Sequence, residues 1–214
     1  FRSSLLIELV NVLIEEGVFP PDTKKIFSKE YRLWVDRESG YEKYIGAVIN
    51  AFDKKIKKVG EKNLRIAVDK VIALHRNRLY TYTRDLIKEL KRKNYFLLAI
   101  SHSPKYVVGK FAKKIGFNKV YGLLLELDEE MRLTGNKLHA DLIFDKSKIL
   151  KRAIEKESLT LKDSVGVGDT DSDIPFLKMV DKPICFNPNG RLYKAAKKNK
   201  WRVVVERKDV IYEI

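Results

Sequence analysis

Val165-Gly166-Val167-Gly168-Asp169-Thr170-Asp171-Ser172-Asp173-Ile174-Pro175 is the stretch around which the rest of the chain is read. Small and β-branched apolar residues that stop at Gly-Asp predict a buried strand running into a loop, with the next helix over Ile174 to Val180. Three carboxylates, those of Asp169, Asp171 and Asp173, then crowd one strand tip. In an open α/β sheet ligands bind beyond the carboxyl ends of the strands, so these groups fall where chemistry is done. Hard oxygen ligands this close suit Mg2+, which takes one or two carboxylates, keeps several waters and completes its shell with substrate phosphate. An Asp-rich turn also has a plainer reading, in which Asp173 before Ile174-Pro175 caps a helix. The flanking sequence decides between them.

Upstream, Lys146 opens a helix predicted over Lys146 to Ile154. The continuous apolar run Tyr95 to Ile100 follows a helix that starts at Thr83 and carries Leu86, Ile87 and Leu90. It stops at Ser101-His102-Ser103-Pro104, the mark of a buried parallel strand between helices. Pro104 starts a helix with Val107, Val108, Phe111 and Ile115, closed by Gly116, and Val120 to Leu125 forms a strand that leads into a small hairpin or flap. Downstream, Pro183 to Phe186 reads as a strand, Leu192 to Ala196 as a helix and Val203 to Val205 as a last strand. Residues 81–214 are therefore expected to form an α/β, doubly wound (Rossmann-like) parallel sheet.

Residues 1–80 have another character. Leu5, Leu6, Leu9, Val10, Leu13 and Ile14, with Ser3-Ser4 before them and Gly17 after, read as a capped amphipathic helix. Asp22 opens a predicted helix carrying Ile26, Phe27, Tyr31, Trp34 and Val35, broken at Ser39-Gly40. Tyr44, Ile45, Val48, Ile49, Phe52 and Ile56 keep helical spacing, and Leu64 to Leu79 gives one more helix. This part is expected to be an all-helical bundle, its aromatic stripe forming core.

The composition narrows the function classes. With 44% hydrophobic and 34% charged residues over 214 positions, the chain is expected to be a soluble globular protein. No apolar run approaches the roughly 18 to 20 residues that span a bilayer. The lone Cys185 excludes an internal disulfide and a cysteine zinc cluster and fits a cytoplasmic setting. A formal charge of +15 would attract anions, and anionic membrane contact stays open. Nucleic acid is the less favoured partner, because the lysines and arginines are dispersed over exposed helix faces and no recognition motif accompanies them. The same field suits a small phosphorylated substrate.

Ser101, at the expected tip of its strand, and the free N–H groups of the following helix form a phosphate cradle, although Ser101 or Ser103 also serves as a cap. His102 lies beside that cradle and is a candidate phosphate contact. Lys146 can aim an ammonium at the same phosphate, with Lys148 and Lys151 as competitors. His75, on an apolar helix face, reads as a core residue, and His139 has no evident partner.

In chain order these are a strand-end Ser101, a helix-start Lys146 and Gly168-Asp169-Thr170-Asp171-Ser172-Asp173 after a strand. The chain here resembles the haloacid dehalogenase superfamily of phosphatases, within it the phosphoserine phosphatase-like branch. Lys182-Pro183-Ile184-Cys185-Phe186-Asn187-Pro188 and Trp201 resemble that branch as well. The resemblance implies that residues 1–80 are an inserted all-helical cap domain and residues 81–214 the phosphatase core. It implies catalytic roles for Lys146 and Asp173, phosphate binding by Ser101, His102 and Lys146, and Mg2+ held by Asp169 and Asp173, with Asp171 exposed on a variable position. The family pattern begins with Asp-x-Asp-x-Thr, whose first Asp is the nucleophile and whose second is the general acid and base. Neither stands in this sequence, and Phe1-Arg2-Ser3-Ser4-Leu5 looks like the segment just after that motif in relatives. An upstream nucleophile strand is therefore expected, and the chain alone is expected to be inactive. The expected function is Mg2+-dependent hydrolysis of a small phosphate monoester through an aspartyl phosphate. An inactive member that binds a phosphorylated ligand, and a binder of nucleic acid or lipid surfaces, are the alternatives.

Overall fold

The computed structural model describes residues 3–214; the Phe1-Arg2 part of the N-terminal resemblance lies outside them. Two compact units are present, one formed by the chain up to Leu79 together with Ser101–Ala140, the other by Tyr80–Ile100 and Asp141–Ile214.

The first unit is built on α1 (Leu5–Glu15), whose Leu9, Val10 and Leu13 are fully buried. Gly17 closes it at φ +70°, a conformation that glycine adopts without strain. The single helix expected from Asp22 to Val35 is instead a 3-10 turn (Pro21–Ile26) followed by α2 (Ser28–Val35). Phe27 leaves helical geometry between them, at φ −124° and ψ 0°, and its ring is buried at a centroid distance of 6.3 Å from Tyr44. Core packing of that ring thus overrides local helix propensity. α3 (Tyr41–Lys55) and α4 (Glu61–His75) complete the bundle as expected. The aromatic stripe forms a cluster in which Trp34 stacks on Tyr44 at 5.4 Å, but Tyr31 and Tyr41 keep an exposed edge.

α5 (Thr81–Arg92) opens the second unit, and β1 (Leu98–Pro104) leads back into the first. β1 runs on through Ser101-His102-Ser103, so Ser101 sits within the strand rather than at its tip. The expected stop at Ser101 fails because ladder bonds are made by the backbone, which these polar residues also supply. α6 (Lys105–Ile115) packs on α1, α4 and β2 (Lys119–Leu127), and ends at Gly116 in the left-handed region. A Cβ on Gly122 of β2 would lie 2.7 Å from the Lys105 Cα, so only glycine allows that approach. β2 turns into β3 (Leu133–Leu138), the hairpin foreseen from the sequence. Residues 58–61 pair with it: Lys58 N–H donates to the Leu133 carbonyl at 2.7 Å, Leu133 N–H to that of Val59 at 2.9 Å, and Glu61 N–H to that of Met131 at 2.8 Å.

The second unit carries α7 (Ala140–Ile143) at its margin, α8 (Lys146–Glu157), β4 (Val165–Gly168), α9 (Ile174–Leu177), β5 (Lys182–Phe186), α10 (Gly190–Asn199), β6 (Arg202–Arg207) and β7 (Val210–Glu213). β4, β5 and β6 are parallel and β7 is antiparallel, in the order β4-β5-β6-β7. The α/β, Rossmann-like reading holds. One face of this sheet packs Leu177, Cys185, Val203, Leu192 and Ala196 under α9 and α10; the other packs Ile184, Phe186 and Val204 under Tyr80, Tyr82 and Leu86 of the α5 segment.

Two expectations need correction here. β4, read as a buried central strand, is an edge strand of its sheet, and Val167 is 37% exposed because β5 is its only strand neighbour among the described residues. The helix expected over Ile174 to Val180 starts at Ile174 but ends at Leu177, where residues 178–180 turn out of helical geometry. Among the described residues no helix is long and apolar enough to cross a membrane.

Glu206 of β6 is 6% exposed and accepts the first N–H groups of α5, from Thr81 at 2.9 Å and Tyr82 at 2.8 Å. A carboxylate suits these donors because they carry the positive end of the helix dipole. Glu206→Gln turns one acceptor into a donor that faces N–H groups, and is expected to cost about 1–3 kcal/mol. Urea unfolding checks this; an unshifted midpoint contradicts it.

Candidate active site

The site begins with a steric requirement at the end of β4. A Cβ on Gly168 would stand 2.5 Å from the Asp173 Cβ and 2.9 Å from its Oδ2, so the loop folds back on the strand only with glycine there. Asp173, 2% exposed, occupies that space. Its Oδ2 accepts the backbone N–H of Asp169 at 2.8 Å and of Thr170 at 3.0 Å. Thr170 and Asp173 form a capping box for the 3-10 turn, with Asp173 as its third residue, whereas at the N-cap of α9 the Asp173 side chain makes no capping bond, so the plain reading of Asp173 as the cap of that helix is not met. The other oxygen, Oδ1, pairs with the Lys146 ammonium, and both side chains of the pair are nearly buried.

Lys146 is aimed by its own helix start. Asp145 caps α8 by accepting Ser147 N–H at 3.0 Å and Lys148 N–H at 3.3 Å, and its Oδ1 also accepts the Ser147 hydroxyl at 2.6 Å. That hydroxyl holds the Asp145 carboxyl below its usual range. The cap singles out Lys146, while Lys148 and Lys151 are exposed.

Asp169 follows Gly168 directly, with part of its surface open to solvent. Protein atoms crowd the rest of it, and this desolvation first, then the charge of Asp173, pushes its carboxyl up to about 6 against the opposing pull of Lys146. Asp169 and Asp173 thus share one strand tip with a single ammonium between them, an arrangement that a further cation would relieve. Among the described residues no group of three or more His, Cys, Asp or Glu side chains is arranged to hold a metal ion. The donor set is a pair of carboxylates beside exposed space, which fits Mg2+, a metal that uses one or two carboxylates and fills its shell with water and phosphate oxygens. It does not fit a cage built wholly of protein ligands.

Asp171, expected to be exposed, is half-buried and tied down. It accepts Asn189 Nδ2 at 2.9 Å and pairs with Arg191 at 3.4 Å, and the Asn189 bond is the main reason that its carboxyl is held low. Asn189 was not foreseen as part of the site. Its backbone N–H donates to the Asp169 carbonyl at 2.8 Å, and its Oδ1 caps α10 through Leu192 N–H at 2.8 Å. The sequence signal was an Asn directly after Asn187-Pro188 and directly before a helix.

The structure therefore brings Lys146, Asp169 and Asp173 together in the second unit. Ser101 and His102 stand half-buried on β1 in the first, where the Ser101 hydroxyl accepts Ser103 N–H at 3.2 Å. His75 is a buried partner of Glu8 at 3.3 Å, as its apolar face suggested. Cys185 is buried with its thiol pushed up to about 11 by desolvation, which removes it as a nucleophile.

The model of the haloacid dehalogenase-like hydrolases matches residues 28–178. A histidinol-phosphatase of Neisseria meningitidis is 28% identical over 112 residues, which are 50% of this chain and 50% of that protein. A phosphoserine phosphatase of Methanocaldococcus jannaschii is 27% identical over 128 residues, 59% of this chain and 57% of that protein. The aligned stretches thus span about half of the length of these relatives. A solved phosphoserine phosphatase, described as a phospho-aspartyl intermediate analogue, superposes with a TM-score of 0.59 at 21% identity, covering 97% of this chain and 88% of that one.

The raised carboxyl of Asp169 carries a pH signature in metal-free solution. Its folded value, about 6, lies above the ordinary aspartate value near 3.9, so folding favours the protonated form. The contribution to stability is complete below about pH 4 and is lost as pH rises through about 6. Asp169→Asn removes this dependence, so the variant is expected to gain on the wild type between those two values. Urea midpoints measured in parallel across that window check it, and a difference that stays constant with pH refutes it.

Proposed function

The chain belongs to the haloacid dehalogenase-like hydrolases, and we propose that it carries out Mg2+-dependent hydrolysis of a small phosphate monoester through an aspartyl-phosphate intermediate. The observation that carries this reading is the grouping of Asp169, Asp173 and Lys146 at the carboxyl end of β4. Both curated relatives have names that denote hydrolysis of a small phosphate monoester, which supports that substrate class.

Asp169, Asp173 and Lys146 each have a role that their position at the β4 tip supports. Asp169 presents a carboxylate at the open strand tip and is the primary metal ligand. Asp173 holds the Asp169 backbone, reaches the metal shell and keeps Lys146 in place. Lys146 supplies a fixed positive charge for the transferred phosphoryl, on which most phosphoryl-transfer catalysis rests. For Ser101 and His102 the phosphate-binding role rests on the family resemblance alone. When bound, Mg2+ neutralises charge on the phosphate oxygens and orients them for in-line attack.

In this reading the nucleophile is an aspartate upstream of residue 1. The open edge of β4 supports it, since a parallel strand added there would end about 4.8 Å from β4 and bring its own carboxylate to the same tip. Residues 1–80 serve as the cap that selects the leaving group, and residues 81–214 as the core, in a cytoplasmic protein.

A protein that carries residues 1–214 together with the upstream aspartate is expected to hydrolyse an aryl phosphate in Mg2+ and to stop when the metal is chelated. Residues 1–214 alone are expected to be inactive. In the longer protein Asp169→Asn should lower turnover on the order of a thousandfold, the scale of several kcal/mol of metal-ion stabilisation. Undiminished turnover in that variant, or in the presence of chelator, would overturn the assignment.

A further inference from the structure

Away from the phosphatase site, the second unit has a surface that catalysis does not use. From Asn187 to Val205 the chain contains Arg191, Lys194, Lys197, Lys198, Lys200 and Arg202 and no acidic residue. α10 buries its apolar face, Leu192 and Ala196, in the core, which leaves its lysines in solvent. Some lysines elsewhere are paired, as in Lys70–Glu16, Lys88–Asp85, Lys93–Glu89, Lys137–Asp53 and Lys182–Asp163. Arg191 and Arg202 also have partners, Asp171 and Glu213. Among the described residues no ion pair uses Lys194, Lys197, Lys198 or Lys200. Lys194, Lys197 and Lys198 of α10, with Lys200 at its end, thus form one basic face with no acidic residue in the segment.

A second feature lies on the sheet face that α10 covers. In the antiparallel ladder of β6 and β7, Tyr212 is opposite Val205 and Val210 is opposite Arg207. Cross-strand partners share a sheet face, and Val205 packs in the cluster under α10, so Tyr212 and Val210 are on the α10 side. Ile214, whose N–H donates to the Val203 carbonyl at 3.0 Å, continues the stripe next to the start of β6, where α10 has just ended at Lys200. The three apolar side chains are 46%, 50% and 58% exposed for Val210, Tyr212 and Ile214.

We propose that α10 and β7 form a docking surface for an anionic lipid bilayer, with the lysines at the headgroup phosphates and Val210, Tyr212 and Ile214 in the interface. A merely solvated helix face would explain the lysines but not the adjoining apolar stripe. A nucleic acid backbone would engage the lysines and leave Val210 and Ile214 without a role. Anionic lipid uses both, because basic residues near such a surface and buried apolar area each add to binding. The attachment is peripheral and weakens with salt.

The test is sedimentation of the full chain with vesicles of phosphatidylcholine alone and of phosphatidylcholine mixed equally with phosphatidylglycerol. Binding is expected only to the mixed vesicles and should fall as salt rises. Lys194→Glu/Lys198→Glu should lower the partition coefficient at least about tenfold, from about fivefold per lysine, and Tyr212→Ser/Ile214→Ser several-fold. Both pairs of sites are exposed, and matching urea midpoints verify that the variants fold. Absence of binding to the mixed vesicles overturns the proposal. So does binding that the serine pair leaves unchanged, or that duplex RNA displaces equally well from wild type and serine variant, since either outcome marks a general polyanion face.

Discussion

One buried carboxylate, that of Asp173, organises the candidate site. One of its oxygens holds the backbone of Asp169 and Thr170, and the other holds the Lys146 ammonium. A charge this far from water is tolerated only when its hydrogen-bonding capacity is filled and a counter-charge is close. Both conditions are met locally, by the two N–H groups and by a lysine that the Asp145 cap delivers from α8. The glycine at 168 is part of the same solution, because any side chain there would occupy the volume that Asp173 fills.

The electrostatics of the tip are a consequence. Lys146 is committed to Asp173, so Asp169 is left with less compensation in a crowded place, and its protonation equilibrium shifts upward. Asn189 restrains the same loop from the opposite side, through the Asp169 carbonyl and the Asp171 carboxylate. The loop is held at both ends while its foremost carboxylate is left open. Preorganisation of this kind is what phosphoryl transfer requires of a protein, since charge must be met where it develops without prior rearrangement.

Much of this was legible from the residues. Gly168-Asp169 at the end of a β-branched run, Lys146 at a helix start, and glycine stops at Gly17 and Gly116 are local signals, and the structure obeys them. What sequence could not show depends on neighbours distant along the chain. Phe27 breaks a helix because its ring packs near Tyr44. Ser101 lies inside a strand because the backbone continues its ladder past the apolar run. β7 comes after a turn in which Lys208 takes φ +56° without a glycine or an Asn-Gly pair to announce it. Asn189 caps α10, and its bond to Asp171 joins positions 18 residues apart and leaves no pattern in either segment.

The interleaving of the two units bears on how the chain is made. α1 and α4 pack on α6, and residues 58–61 pair with the β2–β3 hairpin, yet α6 and that hairpin come after the segment Tyr80–Ile100 that belongs to the other unit. During vectorial synthesis the helical part therefore leaves the ribosome before the pieces that cover it. Its partner surface, Val107, Val108 and Phe111 of α6, arrives only after the intervening segment has been translated. Until then the bundle has an uncovered apolar face, and this nascent intermediate is the one in which chaperone binding or misassembly competes most directly with folding.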